Sequence, residues 1–141
     1  MKLTRIRALR GPNLWSRRTS IEAVVECEAR ERSLDLMPGF VARLWQRFPA
    51  LPALGADASL AHALEACALA LQTEAGCPVS FSRTAPTPEA GTFQVVVEYS
   101  EEAVGRLAME LAQALCEAAR DDLPFDAAAA LARLRELDED D

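Results

Sequence analysis

Apolar and polar positions alternate over residues 21–28, with Ile21, Ala23, Val25 and Cys27 on one side and Glu22, Glu26 and Glu28 on the other. That period of two predicts a half-buried strand. Leu3 to Leu9 is strand-like as well, and antiparallel pairing of the two would set Arg5 and Arg7, expected on one face, opposite those glutamates. After Pro38-Gly39 the period changes: Phe40, Leu44 and Phe48 recur every four residues with Val41 and Trp45 alongside, and Pro49 stops the helix. A second helix is predicted over about Leu60 to Ala75, capped by Asp57 or Ser59, striped by Leu60, Leu64, Ala68 and Leu71, and ended by Gly76. Val79 to Arg83 and Phe93 to Tyr99 read as strands, with Pro86, Pro88 and Gly91 in the loop between them. Ser100 is the expected cap of a third helix, with Glu101 and Glu102 at its positive end and Val104, Leu107, Leu111 and Leu115 as its apolar stripe. Asp126 should cap an alanine-rich last helix that runs into the acidic Glu136 to Asp141. Strands interleaved with helices, without a βαβ phosphate fingerprint, predict an α+β fold: a largely antiparallel sheet of about four strands with about four helices.

Length then limits the organisation. With 141 residues the expectation is a single domain over 1–141, with room for two lobes. No apolar run approaches the roughly 18 residues that span a bilayer, and the start Met1-Lys2-Leu3-Thr4-Arg5 has no continuous apolar stretch of a secretion signal. Cytoplasmic localisation and no membrane partner are expected. Cys27, Cys67, Cys77 and Cys116 form no Cys-x-x-Cys pair and fall in apolar periodic segments, so they are read as small buried hydrophobes. Net charge is −7, unevenly divided: residues 1–48 carry ten basic and five acidic side chains, and the remainder five basic and seventeen acidic. That asymmetry suits solvated faces or a zwitterionic partner. Glu22, Glu26, Glu28 and Glu31 offset the basic half, and no nucleic-acid motif occurs, so nucleic acid is not an expected partner.

The loop Arg10-Gly11-Pro12-Asn13-Leu14-Trp15-Ser16, the preceding Leu3 to Leu9, Leu69-Ala70-Leu71-Gln72, Phe81-Ser82-Arg83-Thr84 and Leu131-Ala132-Arg133-Leu134-Arg135 together carry a family resemblance. In this order they resemble the N-terminal domain of cyanophycin synthetase. The resemblance spans nearly the whole chain, yet the ATP-grasp and Mur-ligase-like domains of that family have no counterpart in these residues. It therefore implies that this chain alone is not a ligase.

Chemistry is expected first on the second helix, where His62, the sole histidine, lies three residues before Glu65. In many members of the resembled family the matching helix carries His-x-x-Glu-His with a further Glu four residues on, an inverted zinc-peptidase arrangement implied to cleave cyanophycin internally. Positions 62, 66 and 70 stack on one helical face, and Glu65 would polarise a metal-bound water. Here Ala66 and Ala70 stand at two ligand positions and offer no donor atom. Catalytic zinc normally takes three protein ligands. His62 and Glu65 are therefore read as vestigial, with no metal, no other cofactor and no catalytic residue expected. Cys67 lies about 140° around the helix from His62, and spacing supports no remote ligand such as Cys77, Cys116 or Glu98.

Several other residues are candidates for polymer contact. In the Arg10 to Ser16 loop, Gly11-Pro12-Asn13 is turn chemistry and Trp15 a core anchor, which favours a structural loop, while the resemblance adds a ligand contact in which Arg10, Asn13 and Ser16 offer polar groups beside the Trp15 indole. Arg83 and Thr84 close a strand, where the arginine could meet an aspartate carboxylate or stay in solvent. Glu98, Glu101 and Glu102 could meet arginyl side chains or serve as ordinary cap and strand acids. The leading expectation is a non-catalytic module that binds cyanophycin or Asp-Arg oligomers, or that scaffolds the ligase domains of cyanophycin synthetase. A zinc-dependent endo-hydrolase that generates primers, and a purely structural domain, are the alternatives.

Overall fold

The computed structural model describes residues 1–10, 19–55 and 57–139. Strand β1 (Lys2–Leu9) and strand β2 (Ser20–Glu26) lead into two short 3-10 turns, Ala29–Arg32 and Leu34–Leu36. Helices α1 (Phe40–Arg47) and α2 (Leu60–Glu74) follow, then strands β3 (Ser82–Pro86) and β4 (Thr92–Glu98), and finally helices α3 (Glu102–Asp121) and α4 (Ala127–Glu139). The four strands form one sheet in the order β1-β2-β4-β3, every neighbouring pair antiparallel. The expected α+β architecture is observed.

Ile21, Ala23 and Val25 of β2 and Val95 and Val97 of β4 are buried under α2 and α3, as the alternation requires. Leu60, Leu64, Leu71, Val104, Leu115 and the rest of the helical stripes join them in one core. Helix boundaries follow local chemistry. Ser59 caps α2, its hydroxyl accepting from the His62 amide at 3.3 Å, and Gly76 takes φ 96° just beyond the helix. Asp126 accepts from the Ala129 amide at 3.0 Å and so caps α4. Arg43 and Arg47 of α1 donate to the carbonyls of Ala119 and Leu123, both at 2.7 Å, at the carbonyl-rich end of α3.

Four sequence expectations are corrected. The third strand is Ser82–Pro86 instead of Val79 to Arg83, so Pro86 ends an edge strand instead of lying in the loop. On an edge, its missing N–H costs the sheet no inner hydrogen bond. Glu101, not Ser100, is the N-cap of α3, and the side chain of Glu101 makes no capping bond. Glu22, expected outside, is buried: Arg7 donates to it at 2.7 Å and Gln94 at 2.8 Å, so its charge is compensated on the far side of the sheet. Finally, β1 does not alternate regularly. Thr4 pairs with Val24 and Arg7 with Glu22, so three residues of β1 step past two of β2, and Arg5 takes φ 50° in the resulting bulge.

Glu31, in the first 3-10 turn, is wholly buried. Its carboxylate holds the Met1 ammonium at 2.9 Å and Arg120 Nη1 of α3 at 2.6 Å, and accepts from the Glu28 amide at 2.8 Å. Burial alone would raise its pKa, but these donors outweigh it and hold the carboxyl below the ordinary glutamate value.

Candidate functional site

The first two turns of α2 carry His62 and Glu65 toward the hairpin of β3 and β4. His62 Nδ1 accepts from the Ser59 amide at 3.1 Å and lies 2.8 Å from the Ser59 hydroxyl, and the ring sits edge-on to Phe93 with centroids 5.8 Å apart. With Nδ1 as acceptor, a neutral ring carries its proton on Nε2. Glu65 is occupied at both oxygens, one accepting from Ser82 Oγ at 2.6 Å and the other from Thr84 Oγ1 at 2.7 Å. A cleft of about 420 Å³ opens over this end of α2, lined by Leu54, Asp57, His62, Glu65 and Ala66 among others. Thr84, a candidate contact residue, thus serves here to hold Glu65.

Arg10 and Glu102 come together at the start of α3. Arg10 donates from Nε at 3.0 Å and also from Nη2 to one oxygen of Glu102, while Arg106 Nε donates to the other at 3.0 Å. Bonds to both arginines hold the Glu102 carboxyl below its ordinary value. Glu98 is buried, and its carboxylate accepts from the amides of Ser80 at 2.7 Å and Phe81 at 3.1 Å, closing the turn before β3. Arg83 is exposed on β3, and Glu101 is exposed at the start of α3. Asn13, Trp15 and Ser16 lie outside the described residues. Among the described residues the candidates separate: His62, Glu65 and Thr84 share the N-terminal end of α2, and Arg10 and Glu102 the start of α3.

The segment Leu69-Ala70-Leu71-Gln72 has a structural job. Gln72 is buried and donates through Nε2 to the Glu98 carbonyl at 2.9 Å, pinning α2 to the end of β4. The four cysteines are buried, with Cys67 and Cys116 sulfurs 3.9 Å apart between α2 and α3. The hydrogen bond to Cys67 and burial push the Cys116 thiol well above its ordinary value.

Residues 52–121, which span α2, β3, β4 and α3, match the family described as the cyanophycin synthase-like N-terminal domain. This chain carries that domain. Cyanophycin synthetase of Geminocystis herdmanii is 35% identical over 133 residues, covering 82% of this chain and 15% of the relative. The Trichormus variabilis cyanophycin synthetase is 32% identical over 139 residues, covering 83% of this chain and 15% of the relative, and that of Crocosphaera subtropica is 29% identical over 157 residues, covering 99% and 17%. The chain thus spans about one sixth of the length of the curated relatives it matches.

In this cyanophycin synthase-like domain the residues present do not fit the zinc set its resemblance implies. Ala66 and Ala70 supply no ligand atom, the Nδ1 lone pair of His62 is engaged by Ser59, and both oxygens of Glu65 are engaged by β3. Among the described residues no group of three or more His, Cys, Asp or Glu side chains is arranged to hold a metal ion. No described helix is long and apolar enough to cross a membrane.

Nothing in the sequence points to the burial of Glu31 or the role of Gln94, and Arg5, expected opposite the glutamates of β2, instead sits in the bulge without a cross-strand partner. Alternation assigns a side of a strand but not what covers it, and the signal for the bulge was a parity clash. Leu3 and Ala8, an odd number of residues apart, both pack on the core.

Proposed function

We propose that this chain is a non-catalytic module of cyanophycin synthesis, which binds the arginyl-aspartate polymer or scaffolds the ligase domains that make it. One observation carries the reading: at the helix where a metal site is implied, His62 and Glu65 are committed to Ser59, Ser82 and Thr84, yet the cleft above them stays open. Chemistry is lost there while a concave surface is kept. A polymer carrying both carboxylates and guanidinium groups also suits a chain whose two parts differ in charge sign.

Co-sedimentation with insoluble cyanophycin tests polymer binding. Retention is expected at low ionic strength and should weaken at physiological salt, because exposed charge pairs are screened there. A chain that stays in the supernatant under both conditions does not bind polymer. Stoichiometric zinc with chelator-sensitive chain scission would instead establish the endo-hydrolase.

A second observation favours the scaffolding branch. Trp45 and Leu36 are 41% and 59% exposed, and an apolar cleft of about 400 Å³, lined by Met37, Val41, Ala42 and Leu54, opens beside α1. Apolar surface of this kind suits coverage by another protein surface. Gel filtration of the chain with separately produced ligase domains of a cyanophycin synthetase distinguishes this branch, since scaffolding requires a stable complex.

A further inference from the structure

The face of the sheet away from α2 and α3 holds a groove that no role above uses. Two clefts, of about 480 and about 330 Å³, share Arg5, Val24 and Thr87 and so form one depression across β1, β2 and the β3–β4 hairpin. Its charges are unevenly satisfied. Arg7 is neutralised by Glu22, whose other oxygen accepts from Gln94. Arg5, by contrast, has no ion-pair or side-chain hydrogen-bond partner among the described residues, and neither has the carboxylate of Glu26 or Glu89. Like charges are thus segregated around one groove, an unpaired guanidinium facing the same space as two unpaired carboxylates, with Val24 as an apolar floor and Thr4, Thr87 and Thr92 in its walls.

The backbone adds a second reason to notice Arg5. Its φ of 50° lies in the left-handed region, unfavourable for any residue with a Cβ. A glycine would relieve that strain, yet an arginine stands there, and such outliers are found where a side chain is held for use.

We propose that this groove binds a zwitterionic arginyl unit, a carboxylate and a guanidinium joined by a short aliphatic tether. Arg5 pairs with the carboxylate, Glu26 and Glu89 with the guanidinium, and the tether lies over Val24. The ligand's identity rests on the polymer-binding reading, while the groove is a separate place from the α2 cleft.

The test is a titration of the full chain with β-aspartyl-arginine, followed by amide NMR, beside co-sedimentation on cyanophycin. Shifts are expected in residues 4–7, 24–26 and 87–92. Arg5→Gly, which suits the positive φ and so preserves the fold, should weaken binding about tenfold or more, the loss of a charge-assisted pair. The double variant Glu26→Gln with Glu89→Gln should do the same, the arginine-amide form of the dipeptide should bind more weakly, and Arg133→Ala should change nothing. Polymer binding that survives Arg5→Gly and the Glu26 and Glu89 changes overturns the groove and leaves the polymer reading intact. Dipeptide binding in the groove without polymer retention does the reverse, and failure of both ligands removes both.

Discussion

Glu31 is the residue on which the most depends. One buried carboxylate joins the chain's first residue, a 3-10 turn and the end of α3 through Met1 and Arg120. Glu31→Gln would leave two cations facing a neutral amide, and breaking such a buried pair costs about 3 kcal/mol. Chemical denaturation at neutral pH should show that loss. The pH dependence has a definite sign. Because its folded pKa is lowered, Glu31 contributes stability that is fully present above the unfolded carboxylate value of about 4.3 and is lost as pH falls through the lower folded value. The gap between wild type and Glu31→Gln should therefore be widest above that point and narrow in acid. Nothing in the sequence marks Glu31, which stands among Glu26, Glu28 and several arginines with no periodicity of its own. Burial of Glu22 was equally hidden, although its pairing with Arg7 was legible from the facing charges of two strands.

At the scale of elements, the helices were legible because their ends are written in single residues. Ser59, Gly76 and Asp126 each act where the sequence places them. β3 was misplaced because the apolar Val79 and Phe81 imitate a strand, while the actual ladder begins at Ser82, after Glu98 has tied up the amides of Ser80 and Phe81. Helix α3 packs so closely on the sheet that its Gly105 is obligatory. A Cβ there would lie 2.6 Å from Tyr99 Cβ and 3.2 Å from an Ile21 side-chain carbon. On an exposed helix, glycine to alanine would gain about 1 kcal/mol. Here overpacking against a strand end should reverse the sign, and Gly105→Ala is expected to destabilise by about 1–3 kcal/mol, measured as a lowered denaturation midpoint.

Across the whole molecule, the sequence revealed the family more readily than the site. Its motifs turn out to be largely fold-bearing: Gln72 pins α2 to β4, and Ser82 and Thr84 hold Glu65. Motifs of that kind identify a domain without naming what it binds, and the groove beside Arg5 depends on a bulge that no motif announces. The cysteines report on the integrity of the same core. All four are buried; burial pushes Cys27 up to about 11, and the hydrogen bond to Cys67 together with burial pushes Cys116 well above its ordinary value. An aromatic disulfide reagent near pH 8 should leave the native thiols unmodified and titrate four on unfolding. Prompt labelling of the native chain would contradict this packing.

The strand order has a consequence for how the chain assembles. β2 pairs with β4 across nearly eighty positions, Ser20 against Glu98, whereas α2, β3, β4 and α3 follow one another closely and coincide with residues 52–121. Nucleation is easiest in that contiguous stretch, and β2 must arrive later over a long closed loop. Until it does, β4 presents a row of open amides and carbonyls flanked by Val95 and Val97, an edge that recruits other chains as readily as its own. Trimmed to residues 52–121, the protein would keep its recognisable signature and become a template for aggregation.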